Sequence, residues 1–187
     1  MMPEISLNIL DVAENSTRAK ASLVTIIVDV RTVADTLTVI IDDDGCGMTD
    51  ETLKTVLNPF YTTRTTRKVG MGLPLLKLAA EQTGGSLEIF SKHKDEFLSE
   101  HGTTVKTVFH KNHIDCAPLG DVVETVKTLI QGHPETDFLF KHKKCGGEVT
   151  LDTRELRVIL EGVPLNTYEV IKWIEEYLKE QYSLIFN

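Results

Sequence analysis

The spacing of apolar and polar residues predicts alternating helices and strands in the first 112 residues. Apolar side chains recur at steps of three and four over residues 5–19, which is typical of an amphipathic helix. Two runs rich in β-branched residues follow at 23–31 and 36–42 and predict adjacent strands. The later elements expected in this part are a helix at 49–57 with Thr49 as its N-cap, a helix at 71–82, and strands at 87–91 and 105–109.

Residues 113–187 are predicted to form a second unit, a small α+β extension of the domain at 1–112. Its expected elements are helices at 119–130, 153–160 and 168–182 and a hairpin with strands at 138–142 and 148–152. One side of the last helix is apolar: Val170, Ile171, Ile174, Tyr177 and Leu178. We expect this side either to pack on its own domain or to form a surface for a homodimer or a protein partner.

Charge, hydropathy and cysteine content narrow the function classes. The 187 residues include 28 acidic and 20 basic ones, a net charge of −8, so the chain lacks the basic excess that non-specific nucleic-acid binding requires. The three cysteines are far apart and indicate free thiols. No apolar run approaches the roughly 18 residues of a membrane span, and the first residues lack the pattern of a signal peptide. We therefore expect a cytoplasmic protein with neither nucleic-acid nor membrane partners.

Three polar features interrupt this pattern in a fixed order. Along the first helix, Asp11, Asn15 and Arg18 share one face because they are three or four residues apart. The second strand runs into the acidic glycine turn 43–48, and a loop at 58–70 then carries several cations. A carboxylate at a strand end can accept a hydrogen bond from an exocyclic amine, and glycines let a flat ring lie against the backbone. By itself such a turn is more typical of a strand that simply ends.

With Gly70-Met71-Gly72-Leu73 after the loop, these segments resemble the GHKL superfamily of ATPases. That superfamily includes DNA gyrase B, the large heat-shock chaperones, histidine kinases and mismatch-repair ATPases, and the resemblance covers roughly residues 5–110. The tail that begins at His113 is similar to stand-alone histidine-kinase-like ATP-binding proteins of anaerobic bacteria. The resemblance implies a Bergerat ATP-binding fold, an α/β two-layer sandwich in which a mixed sheet carries helices on one face.

The resemblance also implies roles for individual residues, with ATP and Mg²⁺ as cofactors. Asn15 matches the magnesium ligand, Arg18 lies where kinases often carry a phosphate-directed lysine, and Asp43 matches the aspartate that reads the adenine amine. Asp11 occupies the position of the glutamate that activates water. The other residues expected to bind nucleotide are Gly45, Gly47, Met48, Phe60, Arg64, Arg67, Gly70, Met71, Gly72, Leu73 and Thr103.

The chain departs from the family pattern at two positions. Pro74 replaces a third glycine, which a first helical turn tolerates. Asp11 replaces glutamate and is one methylene shorter, so we expect slow hydrolysis at best. Asp11 as general base and Asp11 as a carboxylate that orients hydrated magnesium both stay open.

Three functions are compatible with these motifs. The first is an ATP- and Mg²⁺-dependent switch that acts on a protein partner and hydrolyses ATP slowly. The second is a protein kinase, either related to anti-sigma serine kinases or a histidine kinase without its phosphoacceptor domain, since no two-helix phosphoacceptor segment precedes the first helix. The third is a nucleotide-binding module without turnover.

Overall fold

The computed structural model describes residues 2–58 and 72–186. Its elements are α1 (Ile5–Arg18), β1 (Leu23–Arg31), β2 (Thr36–Asp43), α2 (Asp50–Thr55), α3 (Gly72–Gln82), β3 (Ser86–Lys92), β4 (Gly102–His110), α4 (Val122–Gly132), β5 (Asp137–Lys144), β6 (Gly147–Asp152), α5 (Thr153–Leu160) and α6 (Tyr168–Phe186). The predicted elements are all present, with bounds that differ by a few residues. Thr49 is the N-cap of α2, as predicted, because its side chain accepts a hydrogen bond from the backbone of Thr52.

One six-stranded sheet forms the centre of the molecule, in the order β3-β4-β2-β1-β5-β6. β1 and β5 are parallel, and the other neighbouring pairs are antiparallel. The mixed sheet predicted from the family resemblance is therefore confirmed.

In every strand except β3, alternate side chains are buried, and they share one face of the sheet. In β1 the buried residues are Val24, Ile26, Val28 and Val30, and the residues between them are half-buried. Helices cover the buried face: α3 lies against β3 and β4, α1 against β1 and β2, α4 against β5, and α6 against β6. This is the predicted two-layer α/β sandwich.

Residues 113–187 continue the same sheet and the same hydrophobic core. β5 pairs with β1 along its whole length, and α4 packs on α1. The apolar side of α6 packs inward, with Ile174 and Leu178 fully buried, while Trp173 is half exposed and stacks on Tyr177. The boundary of two units near residue 112 stays a prediction.

No helix in the described parts of the chain is both long and apolar enough to span a lipid bilayer.

Candidate functional site

A cavity of about 400 Å³ lies between α1, the turn after β2, α2 and the start of α3. Its walls combine apolar side chains with a few polar groups from α1 and the turn, as ligand sites usually do. The lining residues are Val12, Asn15, Ser16, Arg18, Ala19, Asp43, Cys46, Gly47, Met48, Thr49, Thr52, Val56, Gly72, Leu73, Pro74, His93, Thr103 and Val105.

Asp43 is the buried charged group of this cavity. Strand alternation places it on the same face as Ile41, directly beneath α1, and leaves it only 9% exposed. Ser16 Oγ donates to Asp43 Oδ2 at 2.6 Å, and the Gly45 amide donates to Asp43 Oδ1 at 2.9 Å. Burial raises the pKa of Asp43 above its ordinary value, and the hydrogen bonds from Ser16 and from backbone groups offset part of that rise.

Strand β3 and the loop that follows it hold the turn at 43–48 in place. His101 Nδ1 lies 2.6 Å from the carbonyl oxygen of Gly45, and the Met48 amide donates to Ser91 Oγ at 2.7 Å. Gly47 has a φ of +66°, and a Cβ there would lie 1.9 Å from the carbonyl oxygen of Lys92. Only glycine therefore permits this close approach of the turn to β3.

The polar face of α1 supplies a second group of polar side chains to the cavity. Arg18 Nη1 donates to Asn15 Oδ1 at 3.1 Å, and Arg18 Nη2 lies 3.3 Å from Glu14 Oε2. The other carboxylate oxygen of Glu14 lies 2.7 Å from Nε2 of His133, the C-cap residue of α4. A cation and an amide oxygen are thus held next to each other at the rim.

Asp11 lies beside the first residue of α3. A Cβ built on Gly72 would be 2.0 Å from Asp11 Oδ2, so the carboxylate touches the backbone where α3 begins. A side chain at residue 72 would therefore force the Asp11 carboxylate to move. The contact also brings the predicted base and one of the predicted phosphate-binding glycines together.

The structure brings most of the predicted site residues into one place. Those that line the cavity are Asn15, Arg18, Asp43, Gly47, Met48, Gly72, Leu73 and Thr103. Gly45 does not line it but donates to Asp43, and Asp11 lies against Gly72. The predictions for Phe60, Arg64, Arg67, Gly70 and Met71 and for most of the loop at 58–70 fall outside the described residues.

Ser16 and His101, which hold Asp43 and its turn in place, were not predicted as functional, and only Ser16 left a signal in the sequence. Ser16 lies on the apolar stripe of α1 next to Val12 and Ala13, and a polar residue within such a stripe indicates a buried partner. His101 left no signal, because only the folded loop brings it to Gly45.

The polar groups of the cavity fit a nucleotide better than a tightly bound metal ion alone. Between residues 2 and 58 and between 72 and 186, no cluster of three or more His, Cys, Asp or Glu side chains could hold a metal. Magnesium, by contrast, needs few protein ligands when phosphates supply the other oxygens. The Asn15 amide oxygen at the rim meets that requirement, and the buried Asp43 carboxylate offers an acceptor to an exocyclic amine.

Known structures share this architecture. The ATPase domain of Aquifex aeolicus MutL, in complex with ADP, superposes with a TM-score of 0.59 at 14% identity, covering 86% of this chain and 70% of that one. The N-terminal domain of a DNA repair protein superposes with a TM-score of 0.58 at 16% identity, covering 81% of this chain and 53% of that one. This chain thus spans about half the length of the latter. At these identities the likeness shows the fold alone.

Sequence comparison identifies the family. Among curated proteins, no sequence matches this chain significantly. The family model described as histidine kinase-, DNA gyrase B-, and HSP90-like ATPase matches residues 3–113, which is more than half of the chain. The chain therefore belongs to the family of histidine kinase-, DNA gyrase B- and HSP90-like ATPases.

Proposed function

We propose that this protein binds ATP with Mg²⁺ in the cytoplasm and acts as an ATP-gated switch on a protein partner, with slow hydrolysis at most. The observation that carries the proposal is the buried Asp43 carboxylate at the cavity wall, fixed by Ser16 and Gly45. A buried carboxylate is costly unless a donor satisfies it, and the amine of adenine is such a donor. The ADP complex of the MutL domain with the same fold supports the assignment to an adenine nucleotide.

A second group of residues in the site suits a polyphosphate. The guanidinium of Arg18 can form paired hydrogen bonds with phosphate oxygens. The first-turn backbone amides of α3, which begins at Gly72, suit an anion. Asn15 would hold the magnesium ion, which neutralises phosphate charge when bound.

The reach of Asp11 limits the chemistry. Its carboxylate is one methylene shorter than the glutamate expected at this position, and it already contacts Gly72. A general base must reach its water within hydrogen-bond distance. Slow turnover is the expected consequence, so that the bound state persists long enough to be sensed by a partner.

A turnover experiment tests the proposal. ATP binding is measured by calorimetry, and phosphate release is followed for the wild type, Asp11→Asn and the control Asp29→Asn, which lies on the other face of the sheet beside Arg31. Slow release that falls only in Asp11→Asn supports the proposal. Transfer of labelled phosphate to a partner protein indicates a kinase instead, and binding without release or transfer indicates a module without turnover. Absence of ATP binding refutes all three.

A further inference from the structure

We propose that Glu14 and His133 are positioning residues that hold Arg18 over the amide oxygen of Asn15 and so tune the magnesium requirement of nucleotide binding. The inference rests on the proposed function, because it takes Asn15 as the magnesium ligand. It adds a regulatory contact from the C-terminal segment, which carries His133 at the end of α4.

The contacts form one continuous path from α4 to the rim of the cavity. His133 Nε2 lies 2.7 Å from one oxygen of Glu14, and the other oxygen of Glu14 lies 3.3 Å from Arg18 Nη2. Arg18 Nη1 then donates to Asn15 Oδ1 at 3.1 Å. Each link uses a separate atom, so all three contacts exist at the same time.

Arg18 and a magnesium ion compete for the same oxygen. A magnesium ligand lies about 2.1 Å from the ion, and two cations at one amide oxygen repel each other. Arg18 must therefore move away from Asn15 when magnesium binds. The ease of this movement depends on how firmly Glu14 holds the guanidinium.

His133 controls the position of Glu14 from a different part of the chain. The side chains of Glu14 and His133 are 28% and 29% exposed, so their pair is partly shielded from water, whereas Arg18 is 50% exposed and free to swing outward. Exposed or partly exposed pairs of this kind change an equilibrium by up to about fivefold each. The Glu14–His133 and Glu14–Arg18 pairs therefore change magnesium affinity moderately and do not abolish magnesium binding.

The fold provides a route by which this adjustment reaches the rest of the protein. α4 is the first helix after β4, and it packs on both α1 and α6. When Arg18 leaves Asn15, the contacts of Glu14 change. Because His133 contacts Glu14, this change reaches the C-terminal end of α4. Linkage requires the reverse effect too: a partner that displaces His133 alters the magnesium requirement.

The test measures the magnesium concentration that half-saturates the enhancement of ATP binding, by calorimetry on the full chain. His133→Leu removes the donor to Glu14 and is expected to lower this concentration about two- to fivefold, with ATP affinity in EDTA unchanged. His133→Gln retains a donor near the Nε2 position and is expected to behave like the wild type. Because His133 is half-buried at a helix end, both variants are expected to fold, and chemical unfolding verifies this.

A double-mutant cycle separates positioning from a general structural effect. Arg18→Gln removes the competing cation, so adding His133→Leu in that background is expected to cause no further change. An unchanged or raised magnesium requirement in His133→Leu overturns the inference, as does an equal effect of His133→Leu with and without Arg18. If the wild type binds no ATP at all, the proposed function fails. If it binds Mg-ATP but ignores His133, only this inference fails.

Discussion

Replacing Ser16 by alanine removes the hydroxyl that holds the carboxylate of Asp43 in the cavity wall. The two side chains are 3% and 9% exposed, and their oxygens are 2.6 Å apart. Alanine leaves Asp43 Oδ2 without the donor that Ser16 supplies. The Gly45 amide still donates to Oδ1 in the variant, so the effect is confined to Asp43 Oδ2.

The expected loss follows from the charge of the acceptor. A hydrogen bond to an ionised group contributes about 1.5–3 kcal/mol, against about 1 kcal/mol for a neutral pair. At pH 7 we expect Ser16→Ala to lower the free energy of unfolding by about 2 kcal/mol, which corresponds to a fall in Tm of about 4–8 °C for a chain of this size. ATP affinity should fall about fivefold or more, because the carboxylate is no longer held in one orientation.

The stability cost of Ser16→Ala depends on pH, because Asp43 is charged at pH 7 and neutral in acid. Asp43 has a raised pKa in the folded state, so its contribution to stability is complete below the ordinary aspartate pKa of about 4 and is lost as the pH rises through the folded-state pKa. The Ser16 bond lowers that pKa. Its removal therefore costs more at pH 7 than in acid, where the carboxyl is neutral and the loss approaches about 1 kcal/mol.

Chemical unfolding at pH 7 and at acid pH, together with calorimetric ATP titration, measures these effects. Ser6→Ala is the matched control: Ser6 is 1% exposed on the same helix, and its hydroxyl donates to Glu4 at 3.1 Å, away from the cavity. The control is expected to lose stability but to keep its ATP affinity. A stability loss in Ser16→Ala that does not depend on pH, with unchanged ATP affinity, would show that Ser16 does not hold an ionised Asp43 in the site.

Three further predictions concern other parts of the structure. His101→Leu removes the 2.6 Å contact with the carbonyl of Gly45 and should weaken ATP binding about fivefold. His101→Asn keeps a donor and should bind ATP like the wild type. Equal ATP affinities in both variants contradict this role. Gly72→Ala forces the Asp11 carboxylate to move, because the new methyl group would lie 2.0 Å from Oδ2. It should abolish Asp11-dependent phosphate release without unfolding the protein. Phosphate release at the wild-type rate shows that the contact is irrelevant to turnover. Burial lowers the pKa of His142 to about 4, so the unfolded chain binds more protons between about pH 4 and 6.5, and the stability present above pH 6.5 is lost toward pH 4. Unfolding measured across this range should show a loss of up to about 3 kcal/mol that disappears in His142→Gln, and a pH profile that is the same in both proteins contradicts it.

Local periodicity was sufficient to predict the elements but not how they meet. Runs of β-branched residues predict strands β1 and β2, and an apolar stripe predicts helix α1. Both are short-range signals. The parallel pairing of β5 with β1 joins residues more than a hundred positions apart. No local pattern specifies such a pair, so the sequence alone did not predict that residues 113–187 continue the sheet of the first 112 residues.

The candidate site was predictable where its chemistry is carried by short motifs. Asp43 and Asn15 follow from an acidic glycine turn and from a polar helix face, and the structure brings both to one cavity. The groups that hold this turn and this helix face in place could not be predicted in this way, because they lie far away in the sequence. His101 and His133 reach Gly45 and Glu14 from distant segments, and their roles depend on contacts that form only when the sheet is complete.

Calorimetric titration of ATP into the wild type, Asp43→Asn and Asp42→Asn tests whether the Asp43 carboxylate binds the adenine amine. Asp43 lies on the buried face of β2, whereas its neighbour Asp42 is exposed on the other face and accepts from Thr104, so the second variant is a matched control. We predict that Asp43→Asn weakens ATP binding roughly 30- to 150-fold, since an amide can present a donor where the adenine amine needs an acceptor, and that Asp42→Asn leaves it unchanged. Equal ATP affinity in the wild type and in a correctly folded Asp43→Asn would contradict the account.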